Sequence, residues 1–162
     1  MNLLNLLEDE IKDKHLNNFE KVRYIYLRTC ELFYFDARYY YVEQFNKNLY
    51  KQIINKKIDI TNVDDFLVIC HSYSKYVLLK LINELTTANV SLQSGLHSFV
   101  EYKDDSGSVW NLDATLGDLS RIKVGIKPNG FTCRESWNFN YQDVIDEIDE
   151  IIGYKYKEKK II

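Results

Sequence analysis

The chain reads as one α+β domain in which helices come first and an antiparallel sheet follows. Three observations predict this. Apolar residues recur at helical spacing through most of the first 86 positions. Two alternating runs, 97–103 and 108–113, flank the polar loop Asp104-Asp105-Ser106-Gly107, which is a hairpin signal. The length of 162 residues, with 46% hydrophobic and 28% charged residues, suits a single domain 1–162 with a real core. No internal repeat or linker divides it.

Residues 3–14 are expected to form a short acidic helix with Leu3, Leu6, Leu7 and Ile11 on one side. Asn17 or Asn18 can cap a second helix, from about Phe19 to Phe33. Its stripe of Phe19, Val22, Ile25, Tyr26, Thr29, Cys30, Leu32 and Phe33 belongs in the core. Cys30, inside that stripe, reads as a small buried hydrophobe. Residues 35–41 leave the helix as an aromatic turn. Its three tyrosines, 39–41, cannot all face one way, and rim packing is their plainest role. A third helix is expected over 42–56, with Val42, Phe45, Leu49, Ile53 and Ile54 inward, then a linker over 58–62. A dense apolar pattern from Cys70 to about Thr86 predicts a central helix. In the hairpin, Val100, Tyr102, Trp110 and Leu112 should face the core. A further strand is expected over 118–126, a turn at Pro128-Asn129-Gly130, and a terminal acidic helix over 140–152.

Composition excludes several function classes. Net charge is −3, and the short basic tail 155–160 is interrupted by Tyr156 and Glu158, so nucleic acid is not an expected partner. The start carries no basic segment followed by a long apolar one, and no run reaches the roughly 18 apolar residues of a membrane span. Neither a secretory signal nor a membrane partner is therefore expected. The three cysteines, Cys30, Cys70 and Cys133, are odd in number and lack short paired spacing. This argues against a disulfide framework and a zinc site, and for free thiols in a reducing cytoplasm. Export without a signal peptide stays compatible. Thirteen tyrosines and eight phenylalanines leave room for a ring-lined groove.

Chemistry gathers where the run Phe66-Leu67-Val68-Ile69 ends in Cys70. Alone, Cys70 reads equally as a core thiol or a nucleophile. In the first helical turn, backbone N–H groups and the helix dipole would favour its thiolate. A hairpin loop centred on Asp105 sets position 97 across from 113, and a bulge at Gly107 would slip this by about one residue. His97 and Asp113 are then neighbours in either register. The path back to Cys70 also closes. Sixteen helical residues carry the chain about 24 Å away, and about eight extended residues return it about 26 Å. Cys70, His97 and Asp113 are thus the candidate catalytic residues. His71, adjacent on the same helix, points roughly 100° away from Cys70. His15 sits in a polar linker without an apparent partner. A metal held by Cys70, His71, His97 and Asp113 would lack the paired spacing of usual zinc ligands.

Several stretches together resemble the transglutaminase-like branch of the papain-like thiol enzymes. Glu20-Lys21-Val22-Arg23-Tyr24-Ile25-Tyr26, closing at Phe35-Asp36, is similar to the leading helix of that family. Val68-Ile69-Cys70-His71-Ser72-Tyr73-Ser74 resembles its cysteine motif. Gly95-Leu96-His97-Ser98-Phe99-Val100-Glu101 resembles its histidine strand. Trp110-Asn111-Leu112-Asp113-Ala114-Thr115 resembles its aspartate motif. Val68 and Ile69 stand where that family often has glycine, so a more regular backbone is expected there. The resemblance implies a papain-like core with the Cys70 helix packed on the sheet. It implies Cys70 as nucleophile, His97 as general base and acid, and Asp113 as orienting carboxylate, with no cofactor and no metal. The substrate would be a peptide or protein carboxamide, with a thioester intermediate resolved by water or by an amine. Hydrolysis, as a peptidase or glutamine deamidase, is favoured over cross-linking because water is always available. The rival class is a silent fold used as a protein-binding module.

Overall fold

The protein is described by a computed structural model over residues 1–115 and 130–134. Helices precede an antiparallel sheet, so the α+β reading holds. Helix α1, Leu3–Ile11, buries Leu3, Leu7 and Ile11. The Leu3 and Leu4 N–H groups have no acceptor inside the helix. They donate to the Ile60 carbonyl at 2.9 and 3.1 Å, which ties the 58–62 segment to the start of the chain. The helix stops short of the expected residue 14, and His15 turns the chain with a φ of 52°.

Helix α2, Asn18–Leu32, starts on a reciprocal capping box. The Asn17 side chain accepts from the Glu20 N–H at 2.9 Å, and Glu20 accepts from the Asn17 N–H at 3.3 Å. Replacing Asn17 by Ala should cost about 1 kcal/mol, read as a lower urea midpoint with unchanged slope. The buried face is Val22, Ile25, Tyr26, Thr29 and Cys30, all on the predicted stripe, while Phe19 and Leu32 of that stripe are half-buried.

After α2 the chain departs from expectation. Strand β1, Tyr34–Phe35, pairs in parallel with β2, Leu67–Val68, with Phe35 opposite Val68. The Asp36 N–H then donates to the Val68 carbonyl at 2.6 Å. These two-residue strands are too short to show any periodicity. The helix expected over 42–56 is broken. Single 3-10 turns occupy Ala37–Tyr40 and Val42–Gln44, and helix α3 spans only Lys47–Ile54. The cause is Asn46, whose side chain accepts from the Leu49 N–H at 3.1 Å and starts the helix afresh. Phe45, expected inward, falls before that cap and is 83% exposed.

The central helix follows β2. It is α-helical over Cys70–Ser72, opens into a π-helical stretch over Tyr73–Leu78, and returns to α over Leu79–Leu85. The apolar pattern predicts the helix but carries no sign of the wide turns in its middle. They place Ser72, Tyr73, Ser74, Val77 and Leu78 all in the interior, and the helix packs on α1, α2 and the sheet.

The sheet is an antiparallel meander of β3 (Asn89–Gln93), β4 (Phe99–Lys103), β5 (Val109–Leu112) and β6 (Phe131–Cys133). Val100, Tyr102 and Leu112 are buried as expected, while Trp110 packs half-buried on Phe19 and Phe131. The hairpin register differs from a loop centred on Asp105. Val100 pairs with Leu112 and Lys103 with Val109, so the centre lies at Ser106. Gly107, at φ 88°, supplies the left-handed residue that makes the shift. The Asp104 carboxylate fixes the loop by accepting from Ser106, Ser108 and the Trp110 indole. The strand expected over 118–126 and the helix over 140–152 lie outside the described residues, as do Pro128 and Asn129. Gly130 leads directly into β6, a strand the sequence reading did not foresee.

Candidate active site

Cys70 is the first residue of the central helix, and the short chain ahead of it is held on both sides. β2 is paired with β1, and Ile69 has extended backbone, φ −110° and ψ 173°. The Ser72 hydroxyl accepts from the Ile69 N–H at 3.0 Å and donates to its carbonyl at 3.2 Å. This regular backbone is what Val68 and Ile69 predict. The N–H groups of the helix's first turn have no intrahelical acceptor, and the positive end of the dipole lies at the end of the helix where Cys70 stands. Cys70 is half-buried, whereas Cys30 is fully buried and bonds through sulfur to the Ala114 carbonyl at 3.9 Å.

His97 lies just before β4, after a bend in which Gly95 has a φ of 154°. Its ring is 4% exposed, stacked on Phe99 with centroids 6.3 Å apart. The adjoining Ser98 carbonyl accepts from the buried Ser74 hydroxyl at 3.1 Å, which ties the histidine strand to the central helix.

Asp113 follows β5 and is 7% exposed. Its Oδ2 lies 2.7 Å from His97 Nε2. The two residues do not face one another across the ladder, because the loop centre lies one residue later and every pairing is therefore shifted by two. They meet beyond the paired ends of β4 and β5. Two residues that the sequence reading assigned no functional role position this carboxylate. The Asp113 N–H donates to the Gly130 carbonyl at 2.7 Å, and the Asp113 carbonyl accepts from the buried Tyr26 hydroxyl at 3.3 Å. A Cβ on Gly130 would overlap the Asp113 carbonyl oxygen and reach 2.5 Å from the Tyr26 hydroxyl, so only glycine fits. Tyr26 was legible only as one position of a core stripe, and Gly130 only as part of a turn.

The structure therefore brings the three predicted residues together. With Nε2 on Asp113, the ring leaves Nδ1 for the thiol. Burial pushes the His97 imidazolium down, but the charge and hydrogen bond of Asp113, then the interaction with Cys70, outweigh it and hold the ring up at about 10. An imidazolium so held is the counter-charge that a thiolate at Cys70 requires. The raised value also has a consequence for folding. The group contributes stability that is fully present below its ordinary value of 6.5 and is lost as pH rises towards 10. The urea midpoint of the wild type should fall across that window more steeply than that of a His97→Gln variant.

His71 does not share this arrangement. Its Nδ1 lies 3.5 Å from the Ser98 hydroxyl, at the edge of hydrogen bonding, and its ring meets Tyr76 edge-on. His15 lies apart, beside Glu8, Lys12 and Glu84. Among the described residues, no group of three or more His, Cys, Asp or Glu side chains is arranged to hold a metal ion. No described helix is long and apolar enough to cross a membrane.

Tyr39 is a further neighbour of the thiol that the sequence did not single out beyond rim packing. Its 3-10 turn starts at Asp36, whose side chain accepts from the Arg38 N–H at 3.2 Å and whose N–H is fixed to Val68. The Tyr39 ring stacks on Tyr50 at 5.7 Å. Burial, then Tyr50, then Cys70 push its phenol up to about 12.

Compared with models of protein families, with curated proteins and with solved structures, the chain matches none.

Proposed function

We propose that this chain is a thiol enzyme acting on peptide or protein carboxamides through Cys70, His97 and Asp113. The observation that carries the reading is the buried 2.7 Å bond from His97 to Asp113, with the same ring coupled to a thiol at a helix start. The order of parts supports a papain-like core of the transglutaminase-like kind, which the motifs around the three residues also resemble. Helices come first, then the thiol on a central helix, then the sheet that carries histidine and aspartate.

The chemistry follows from those positions. The Cys70 thiolate attacks the carboxamide carbon, forming a C–S bond as the carbonyl electrons move onto oxygen. The Cys70 N–H, in the first turn of the helix, donates to that oxyanion. The C–N bond then breaks, and the leaving ammonia or amine takes the proton from the His97 imidazolium. Neutral His97 next removes a proton from water, which attacks the thioester and returns the thiolate with a carboxylic acid product. Asp113 holds the ring and stabilises its charged form throughout. Water as acceptor makes the enzyme a peptidase or glutamine deamidase, and an amine acceptor would make it a cross-linking transamidase.

Mass spectrometry of candidate proteins incubated with the chain tests this, with a Cys70→Ala variant as control. A gain of about one mass unit marks deamidation, a cut marks proteolysis, and a joined product marks transamidation. The same products with Cys70→Ala would overturn the proposal.

A further inference from the structure

Large apolar side chains that stay exposed are few among the described residues: Met1, Tyr34, Tyr40, Tyr41, Phe45, Leu67 and Leu96. Tyr34, Leu67 and Leu96 lie on the stretches next to the thiol and the imidazole, and Tyr40 and Tyr41 on the turn that follows β1. Tyr34 and Leu67 are directly paired on β1 and β2, and face outward while Phe35 and Val68 are buried. Tyr40 and Tyr41 follow in the 3-10 turn, and Phe45 closes the next one. Leu96, 81% exposed, immediately precedes His97.

Tyr39 connects this surface to the sulfur. It interacts with Cys70, stacks on Tyr50 within 20° of parallel, and meets Tyr40 edge-on at 5.1 Å. Tyr40 in turn packs on Phe35 at 5.7 Å. The rings are therefore fixed by one another and by the Asp36 to Val68 bond, so little freedom is left to lose on binding. The charges set among them are largely cancelled. Arg38 pairs with Asp36 at 2.8 Å, and Lys56 with Asp65 at 2.8 Å. The carboxylate of Glu43 is close enough to act on Tyr39, which disfavours an acidic occupant. An apolar surface concentrated beside one site marks what that site binds.

Resting on the thiol-enzyme reading, we propose that this aromatic surface selects the substrate, which is a peptide segment whose reacting carboxamide is flanked by apolar or aromatic side chains. Such a side chain packs against the Tyr39–Tyr40 face, and Leu96 covers it from the histidine side.

The test uses the full chain and short peptidyl chloromethyl ketones that differ only in the flanking residue: Leu, Phe, Asp or Lys. Iodoacetamide serves as the reference without a flanking group, and each peptide rate at Cys70 is divided by the iodoacetamide rate of the same protein. The Leu and Phe reagents should exceed the Asp and Lys reagents by about tenfold or more. Tyr40→Ser and Leu96→Ser, both at exposed positions, should each bring that preference down towards one. Equal normalised rates for all four reagents, or a preference that survives both substitutions, would overturn the proposal. So would a dimer in sedimentation that Tyr41→Ser and Leu67→Ser dissociate, since the surface would then belong to a second copy. If iodoacetamide does not select Cys70 over Cys30 and Cys133, the thiol-enzyme reading itself fails and the substrate proposal falls with it.

Discussion

Asp113→Asn should slow the alkylation of Cys70 by iodoacetamide at least about tenfold near pH 6, in a protein that still folds. The amide keeps the size of the carboxylate but removes its charge. In the wild type the charge of Asp113 outweighs the burial of His97, and in the variant burial prevails. Burial remains and drives the ring towards neutral, while the charge that held it at about 10 is gone. A neutral ring offers no counter-charge to a thiolate, and thiol alkylation falls about tenfold per pH unit below the ordinary thiol value. Turnover should suffer more, by about three orders of magnitude, because the same proton must later be delivered to the leaving group. Circular dichroism separates this from misfolding: the spectrum should match the wild type while the rate drops.

Gly130→Ala should be the most destabilising single methyl group among the described residues. Its Cβ would overlap backbone atoms of Asp113, which cannot move aside as a flexible side chain would, and would press on the buried Tyr26 hydroxyl. Either β6 separates from β5 or the Asp113 backbone shifts and takes the carboxylate away from His97. Overpacking of this kind costs about 3 kcal/mol. At about 2–4 °C per kcal/mol, the melting temperature should fall by roughly 10 °C. Gly107→Ala is the comparison. Gly107 has a φ of 88° but open space around a Cβ, so it should cost only about 1 kcal/mol. Thermal unfolding of the two variants ranks them, and alkylation of Cys70 in Gly130→Ala shows whether the site has moved with the strand.

Much of this site was legible in the sequence, for reasons that can be named. Cys70 closes an apolar run where a helical pattern begins, and that junction is a helix start. His97 and Asp113 flank one hairpin, so any register within a residue or two brings them close. That tolerance is why the contact forms although each pairing is two residues from the expected one. Gly107 was a visible bulge candidate, but nothing in the spacing sets how far it shifts the register. Other parts left no periodic trace. β1, β2 and β6 are two or three residues long, and the π stretch lies in a helix apolar on nearly every side. Asn46 caps a fresh helix, yet the apolar spacing across it continues well enough to hide the break. The support of Asp113 by Tyr26 and Gly130 joins three segments distant in the chain, and no local pattern encodes such a meeting.

The central claim is that His97, held charged by Asp113, activates Cys70. The most direct measurement is the pH profile of Cys70 alkylation by iodoacetamide in the wild type and in His97→Ala, with Cys30 and Cys133 followed in the same digest. The account predicts that Cys70 is the fastest of the three thiols and still reacts readily near pH 6. It predicts that His97→Ala loses this reactivity near pH 6. Superimposable profiles for the two proteins, or faster labelling of Cys30 or Cys133 than of Cys70, would contradict it.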